Sequence, residues 1–170
     1  ISTAKPRWGR LEKISSPAGA QIFVDYAHSP DAIEKVLSTL KEVTKGKLTI
    51  VFGCGGDRDR TKRPLMAEVS ARIADYVVIT SDNPRTEDPN AILDDVEAGI
   101  KNTATPYIRI IDRRVAIEKA LDSSGPGDVI LIAGKGHEDY QEINGICHHF
   151  DDRRYGRLHG VGFCDCGRAG

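Results

Sequence analysis

The chain lacks an excess of either charge: 24 lysines and arginines stand against 25 aspartates and glutamates, a formal net charge of −1. No global field is available to recruit nucleic acid or an anionic membrane, so any anion binding must be local. Long apolar runs are also missing; none approaches the ~20 residues of a membrane span. The start, Ile1 to Arg10, is polar and carries no apolar stretch of the signal-peptide kind. Cysteine is scarce. Cys54, Cys147, Cys164 and Cys166 show no disulfide-framework spacing, which fits a reduced, cytoplasmic setting. Cys164-x-Cys166 is half of a metal motif without a second pair nearby, so no metal site is expected.

What is there is ordinary for a globular protein: 39% hydrophobic and 29% charged residues over 170 positions, enough for one domain with a real core. Ile22-Phe23-Val24-Asp25-Tyr26 is a short apolar run that ends in polar residues. Ser29-Pro30-Asp31 then opens a helix over 31–43, with Ile33, Val36, Leu37 and Leu40 on one stripe. The β-branched run 48–52 leads into Gly53-Cys54-Gly55-Gly56. Pro64 suits a first helical position, in a helix that reaches 74 and is followed by a strand over 76–80. Pro89 starts a helix through Ile92, Val96 and Ile100; a strand at 107–111, a helix at 113–121 and a strand at 129–133 follow.

Segments 140–143 and 146–150 flank Asn144-Gly145 as a hairpin, and 10–14 reads as an edge strand with a turn at Pro17-Ala18-Gly19. Strands alternating with helices predict an α/β fold: a mostly parallel sheet of about six strands, flanking helices and a C-terminal hairpin. Over 155–170 repeated glycines break every periodicity. The domain is therefore expected over 1–154, and 155–170 as a Gly- and Cys-rich tail, disordered or foreign to it.

In an open parallel sheet ligands bind beyond the carboxyl ends of the strands, and the unusual residues of this chain gather there. The loops are Asp25-Tyr26-Ala27-His28-Ser29-Pro30, Gly53 to Arg60, Ser81-Asp82-Asn83-Pro84-Arg85 and Gly134-Lys135-Gly136-His137-Glu138-Asp139. Each has a plainer reading. Gly53-Cys54-Gly55-Gly56 serves as a tight strand-to-helix connection, and Arg58, Arg60, Lys62 and Arg63 form a charge run of the kind usually solvated. His28 and His137 fit capping or packing roles, and Asp82-Asn83-Pro84 an Asx-turn. Gly134-Lys135-Gly136 looks like a fragment of a P-loop, but the full spacing is absent, so no complete triphosphate cradle exists. The Asp82–Arg85 loop is more pointed. Pro84 stiffens it, Asn83 offers donor and acceptor, and Arg85 offers a planar fork for a carboxylate. With Glu138 to receive an ammonium, these residues describe a pocket for a zwitterionic amino-acid end.

Five runs in order resemble the Mur ligases: Asp25 to Ala32, Val51 to Asp59, Lys62-Arg63-Pro64-Leu65-Met66, Asp82-Asn83-Pro84-Arg85-Thr86 and Ala133 to Tyr140. The resemblance covers Gly9 to Arg153. It is strongest with the branch that adds the third peptide residue to UDP-N-acetylmuramoyl-L-alanyl-D-glutamate. It implies the Rossmann-like third domain of a three-domain enzyme, without a complete catalytic set of its own. ATP and Mg2+ would be bound mainly by a central domain, and the UDP-sugar dipeptide by the others. The implied reaction is amide formation through an acyl-phosphate, which the incoming amine attacks. By resemblance Arg58, Asp82, Asn83, Pro84, Arg85, Gly134 and Glu138 bind meso-diaminopimelate, the amino acid associated with the Asp-Asn-Pro-Arg form. Asp25 and His28 match a segment that faces the nucleotide. Three departures stand out: Arg7-Trp8-Gly9-Arg10 replaces a usual Pro-Gly-Arg, Arg154 replaces a usual Glu, and the expected amphipathic terminal helix is missing. The alternatives are a lysine-adding or folylpolyglutamate-type ligase domain, or a binding module that has lost catalysis.

Overall fold

The computed structural model describes residues 10–14 and 19–158. Its elements are β1 (Glu12–Ile14), β2 (Gln21–Asp25), α1 (Pro30–Val43), β3 (Leu48–Phe52), α2 (Lys62–Ile73), β4 (Tyr76–Ile79), α3 (Pro89–Glu97), β5 (Tyr107–Arg109), α4 (Arg113–Asp122), β6 (Val129–Ala133), β7 (Tyr140–Ile143), β8 (Ile146–His149) and α5 (Asp152–Leu158). One six-stranded sheet runs in the order β1-β2-β6-β3-β4-β5, and β7 pairs with β8 separately. All its neighbours pair in parallel except the edge strand β1, which is antiparallel to β2.

The chain steps outward from β3 to β4 to β5, then returns to insert β6 between β2 and β3. That return separates the helices. Ile33, Leu37 and Leu40 of α1 pack with Met66 and Ala67 of α2 and Ile92, Leu93 and Val96 of α3 on one face. Ala116, Ile117, Ala120 and Leu121 of α4 cover the other, with Ile14 and Phe150. β3 and β6 lie in the middle and are buried at every residue, which is why β6 is an unbroken apolar run and β3 is apolar except for Thr49. Helix starts are set by local chemistry: Ser29, Asp88 and Asp112 each accept a backbone N–H of the helix that follows.

Several boundaries differ from the sequence reading. Helix α2 begins at Lys62, so Pro64 is its third residue; in a first turn a missing N–H still costs no helical bond. Helix α3 stops at Glu97, yet Ile100 stays buried in the turn beyond it. Arg63 belongs to no solvated run, for it is fully enclosed. The expected end of the domain at 154 falls inside α5, whose Gly156 packs against Ile14 and Ile22. Pro17, Ala18, the Arg7-Trp8-Gly9 segment and Cys164-x-Cys166, with the rest of the tail beyond 158, lie outside the described residues.

Candidate functional site

Because β2, β3, β4 and β6 are parallel, their carboxyl ends share one edge, and the four polar loops meet there. After β2, the Asp25 carboxylate accepts the N–H groups of Ala27 and Leu11 at 2.7 and 2.8 Å. This turns the chain so that Tyr26 and His28 stand at the edge, with the His28 ring Nδ1 2.8 Å from the Tyr26 carbonyl. After β3, Gly56 N–H donates to the Asn83 carbonyl at 2.8 Å. The loops after β3 and β4 therefore lie against each other.

Lys135 is the anchor beneath the Asp82–Arg85 loop. It is wholly buried, and its Nζ donates to Asn83 Oδ1 and to the Tyr140 carbonyl, both at 2.9 Å. It also stands 2.9 Å from Asp82 Oδ1, a buried oxygen that it holds as an ion pair. The β7 strand completes the attachment. Gln141 Nε2 donates to the Asp82 carbonyl at 2.6 Å, Glu142 N–H to Asn83 Oδ1 at 3.0 Å, and Arg85 N–H to the Glu142 carbonyl at 3.1 Å. These bonds hold Arg85 at φ 52°, a left-handed conformation uncommon for a residue other than glycine. Its Nη1 donates to the Gly56 carbonyl at 2.9 Å.

A cavity of about 410 Å³ opens between the loops. Of the residues singled out in the sequence, Arg58, Asp82, Asn83, Arg85, Gly134, Glu138 and His28 line it. Pro84 is buried and stiffens the loop from behind. Asp25 lines a neighbouring cavity of about 350 Å³, shared with Tyr26 and His28, and its carboxylate is already engaged by backbone. Gly134 has φ 113°, and a Cβ there would stand 2.9 Å from Asp82 Oδ2; its lack of a side chain leaves that carboxylate room.

Charge is sorted within the cavity. Lys135 balances Asp82, whereas Glu138 makes no ion pair among the described residues and remains available to a cation. The Tyr26 hydroxyl is pushed above its ordinary pKa by burial and then by the charge and hydrogen bond of Glu138. The Cys54 thiol is pushed up to about 12, first by burial and then by the Asp82 charge, so it stays protonated and inert near neutrality.

Four contributors went unassigned in the sequence: Tyr26, Arg63, Lys135 and Glu142. Arg63 donates from Nη2 to the Gly55 carbonyl at 3.0 Å and is paired with Glu87 and Asp95. A signal for it existed, since Arg63, Met66, Ala67 and Ser70 are all buried at the i, i+3, i+4, i+7 spacing of one helix face. Lys135 was masked by its likeness to a phosphate-binding lysine; it points into the protein.

Comparison with known proteins extends this geometry. Residues 9–136 match the family model described as Mur ligase, glutamate ligase domain. A UDP-N-acetylmuramoyl-L-alanyl-D-glutamate–2,6-diaminopimelate ligase of Synechococcus elongatus is 54% identical over 151 residues, 88% of this chain and 30% of the relative. The like-named enzyme of Chlorobaculum tepidum is 54% identical over 148 residues, 85% of this chain and 29% of its own length. A solved structure of a ligase with that name superposes with a TM-score of 0.83 at 46% identity, over 92% of this chain and 31% of that one. The chain thus spans about three tenths of the length of these relatives.

Proposed function

The chain belongs to the Mur ligase, glutamate ligase domain family, and from that premise we propose that it is the substrate-selecting C-terminal domain of an ATP-dependent amide ligase. The reaction proposed for the whole enzyme is addition of meso-diaminopimelate to UDP-N-acetylmuramoyl-L-alanyl-D-glutamate in peptidoglycan synthesis. The observation that carries this reading is one cavity holding both Arg85 and Glu138. The first is a guanidinium with an open edge, the second a carboxylate without a cation.

In this reading Arg85, with Arg58, takes carboxylate and Glu138 takes ammonium. Asn83 contributes its amide nitrogen, because its Oδ1 is already shared by Lys135 and Glu142. Asp82, balanced by Lys135 at its buried Oδ1, contributes Oδ2, beside which Gly134 leaves space. Lysine has no distal carboxylate, so it cannot form the charge-assisted pair with the Arg85 fork, which keeps only its loose contact with Glu142. Truncating one member of a buried charge pair costs about 2–5 kcal/mol, and partial exposure of Arg85 sets the discrimination near the lower figure.

ATP and Mg2+ are assigned to other parts of the enzyme. Lys135 is consumed internally, and among the described residues no group of three or more His, Cys, Asp or Glu is arranged to hold a metal ion. These residues do not fit a triphosphate with its magnesium, and no chemical step is assigned to them. Of the pair Asp25 and His28, the Asp25 carboxylate is taken by backbone N–H groups, whereas His28, engaged at Nδ1 by the Tyr26 carbonyl, offers its other ring nitrogen to a nucleotide. No helix among the described residues is long and apolar enough to cross a membrane; a cytoplasmic location belongs to the proposal.

The test is phosphate release by the whole ligase carrying this domain, with ATP, the UDP-sugar dipeptide and each amino acid in turn. Release with meso-diaminopimelate and little with lysine or glutamate is expected. Equal rates with lysine would sink the specificity assignment.

A further inference from the structure

The Arg85 guanidinium is only partly used. Its Nη1 donates to the Gly56 carbonyl, Nη2 has no hydrogen-bond partner among the described residues, and Nε stands 3.5 Å from Glu142 Oε2. A carboxylate that meets an arginine side-on takes Nε and Nη2 together, which is the edge where Glu142 stands. Resting on the reading of Arg85 as the carboxylate-binding residue, we propose that Glu142 is a competing carboxylate. It occupies the Arg85 fork when substrate is away and is displaced by the distal carboxylate of the incoming amino acid.

The contrast between backbone and side chain carries the argument. Around Glu142 the backbone is fixed: its carbonyl accepts Arg85 N–H at 3.1 Å, its own N–H donates to Asn83 Oδ1 at 3.0 Å, and Asn144 N–H donates to the Arg85 carbonyl at 2.8 Å. Its carboxylate is not fixed. At 3.5 Å the contact is an ion pair beyond good hydrogen-bond length, and the two side chains are 21% and 33% exposed. The Arg113–Asp152 pair, built as a permanent bridge, has both side chains at 0% and 2.7 Å between them. Glu142 is thus rooted beside the fork it serves while its head is loosely held and reachable by water. Glu142 makes no second ion pair among the described residues, so displacement breaks one weak contact only. A competitor at this edge lowers affinity for a second carboxylate and leaves affinity for a substrate without one untouched.

The experiment is an NMR titration of the isotope-labelled full chain with meso-diaminopimelate and, separately, lysine, following the amides of 82–85. The proteins are the parent, Glu142→Gln, Arg85→Ala and the double variant. Glu142→Gln is expected to bind meso-diaminopimelate about two- to fivefold tighter, the range of a partly exposed ion pair. Its lysine affinity should be unchanged, and the gain should vanish in the Arg85→Ala background. Equal or weaker binding by Glu142→Gln, with Arg85→Ala weakened, overturns the competitor role and leaves the proposed function standing. An equal gain for lysine also overturns it, since the effect would then be one of general charge. Binding indifferent to Arg85→Ala, or no response of 82–85 in any variant, brings down the assignment of Arg85 and the competitor role together.

Discussion

Arg113 and Asp152 form a wholly buried ion pair, with Nε 2.8 Å from Oδ1 and Nη2 2.7 Å from Oδ2. The same guanidinium donates to the carbonyls of Ser81 and Ala133, the residues just before Asp82 and Gly134. One cation therefore anchors two of the loops that line the cavity. It is neutralised by a residue from the last helix.

Asp152→Ala strands the Arg113 charge in the interior, where losing one partner costs about 3–5 kcal/mol. The urea midpoint should fall accordingly. Arg113→Met combined with Asp152→Leu should recover much of the stability, because no bare charge is left. The 81–85 amides should nevertheless exchange faster in the double variant, since Ser81 loses its donor. An Asp152→Ala protein as stable as the parent would rule out this role.

Acid should unfold the protein through its paired carboxylates. Glu87 is held below the ordinary carboxylate range by hydrogen bonds from Arg63, against opposing burial. Glu97 is held low by the Tyr107 hydroxyl and then by Arg109. Each binds fewer protons folded than unfolded, so its contribution is complete above the unfolded value of 4.5. It is lost as pH falls through the lower folded value. The urea midpoint should be level from neutrality to about pH 5 and fall below it. Glu87→Gln should begin lower at neutral pH and respond less to acid. A midpoint that rises on acidification contradicts the pairing.

Gly56 is where the loops after β3 and β4 touch. A Cβ there would collide with the Pro84 carbonyl, so Gly56→Ala must drive the two loops apart. Overpacking of this sort costs about 1–3 kcal/mol, and Arg85, bonded to the Gly56 carbonyl, should lose its fixed position. Gly125→Ala is the control, since a Cβ there meets nothing within 4 Å. Matching urea curves for the two variants would show that the contact is unimportant.

Elements buried on both faces were the most legible in the sequence. Strands β3 and β6 have the bounds that their apolar runs announce, because a central parallel strand admits almost nothing else. The hairpin was legible for another reason: Asn144 and Gly145 take φ 49° and 76°, a turn those residue types favour. The start of α2 was hidden because its first residues, Lys62 and Arg63, read as charge and not as periodicity.

By itself the sequence determined the α/β alternation, the strand ends where polar residues collect, and the chemical character of the Asp82–Arg85 loop. These rest on local propensity and on pattern along the chain. Tertiary structure alone decided which charges are spent and which are free. Arg63, Lys135 and Arg113 are buried because carboxyl or amide partners 24, 52 and 39 positions away reach them. A cation leaves water only where such a partner meets it, and separation along the chain does not predict that meeting. Thus Lys135, set in no more than a fragment of P-loop pattern, became an internal anchor, and Arg85 kept one edge beside a loosely held Glu142.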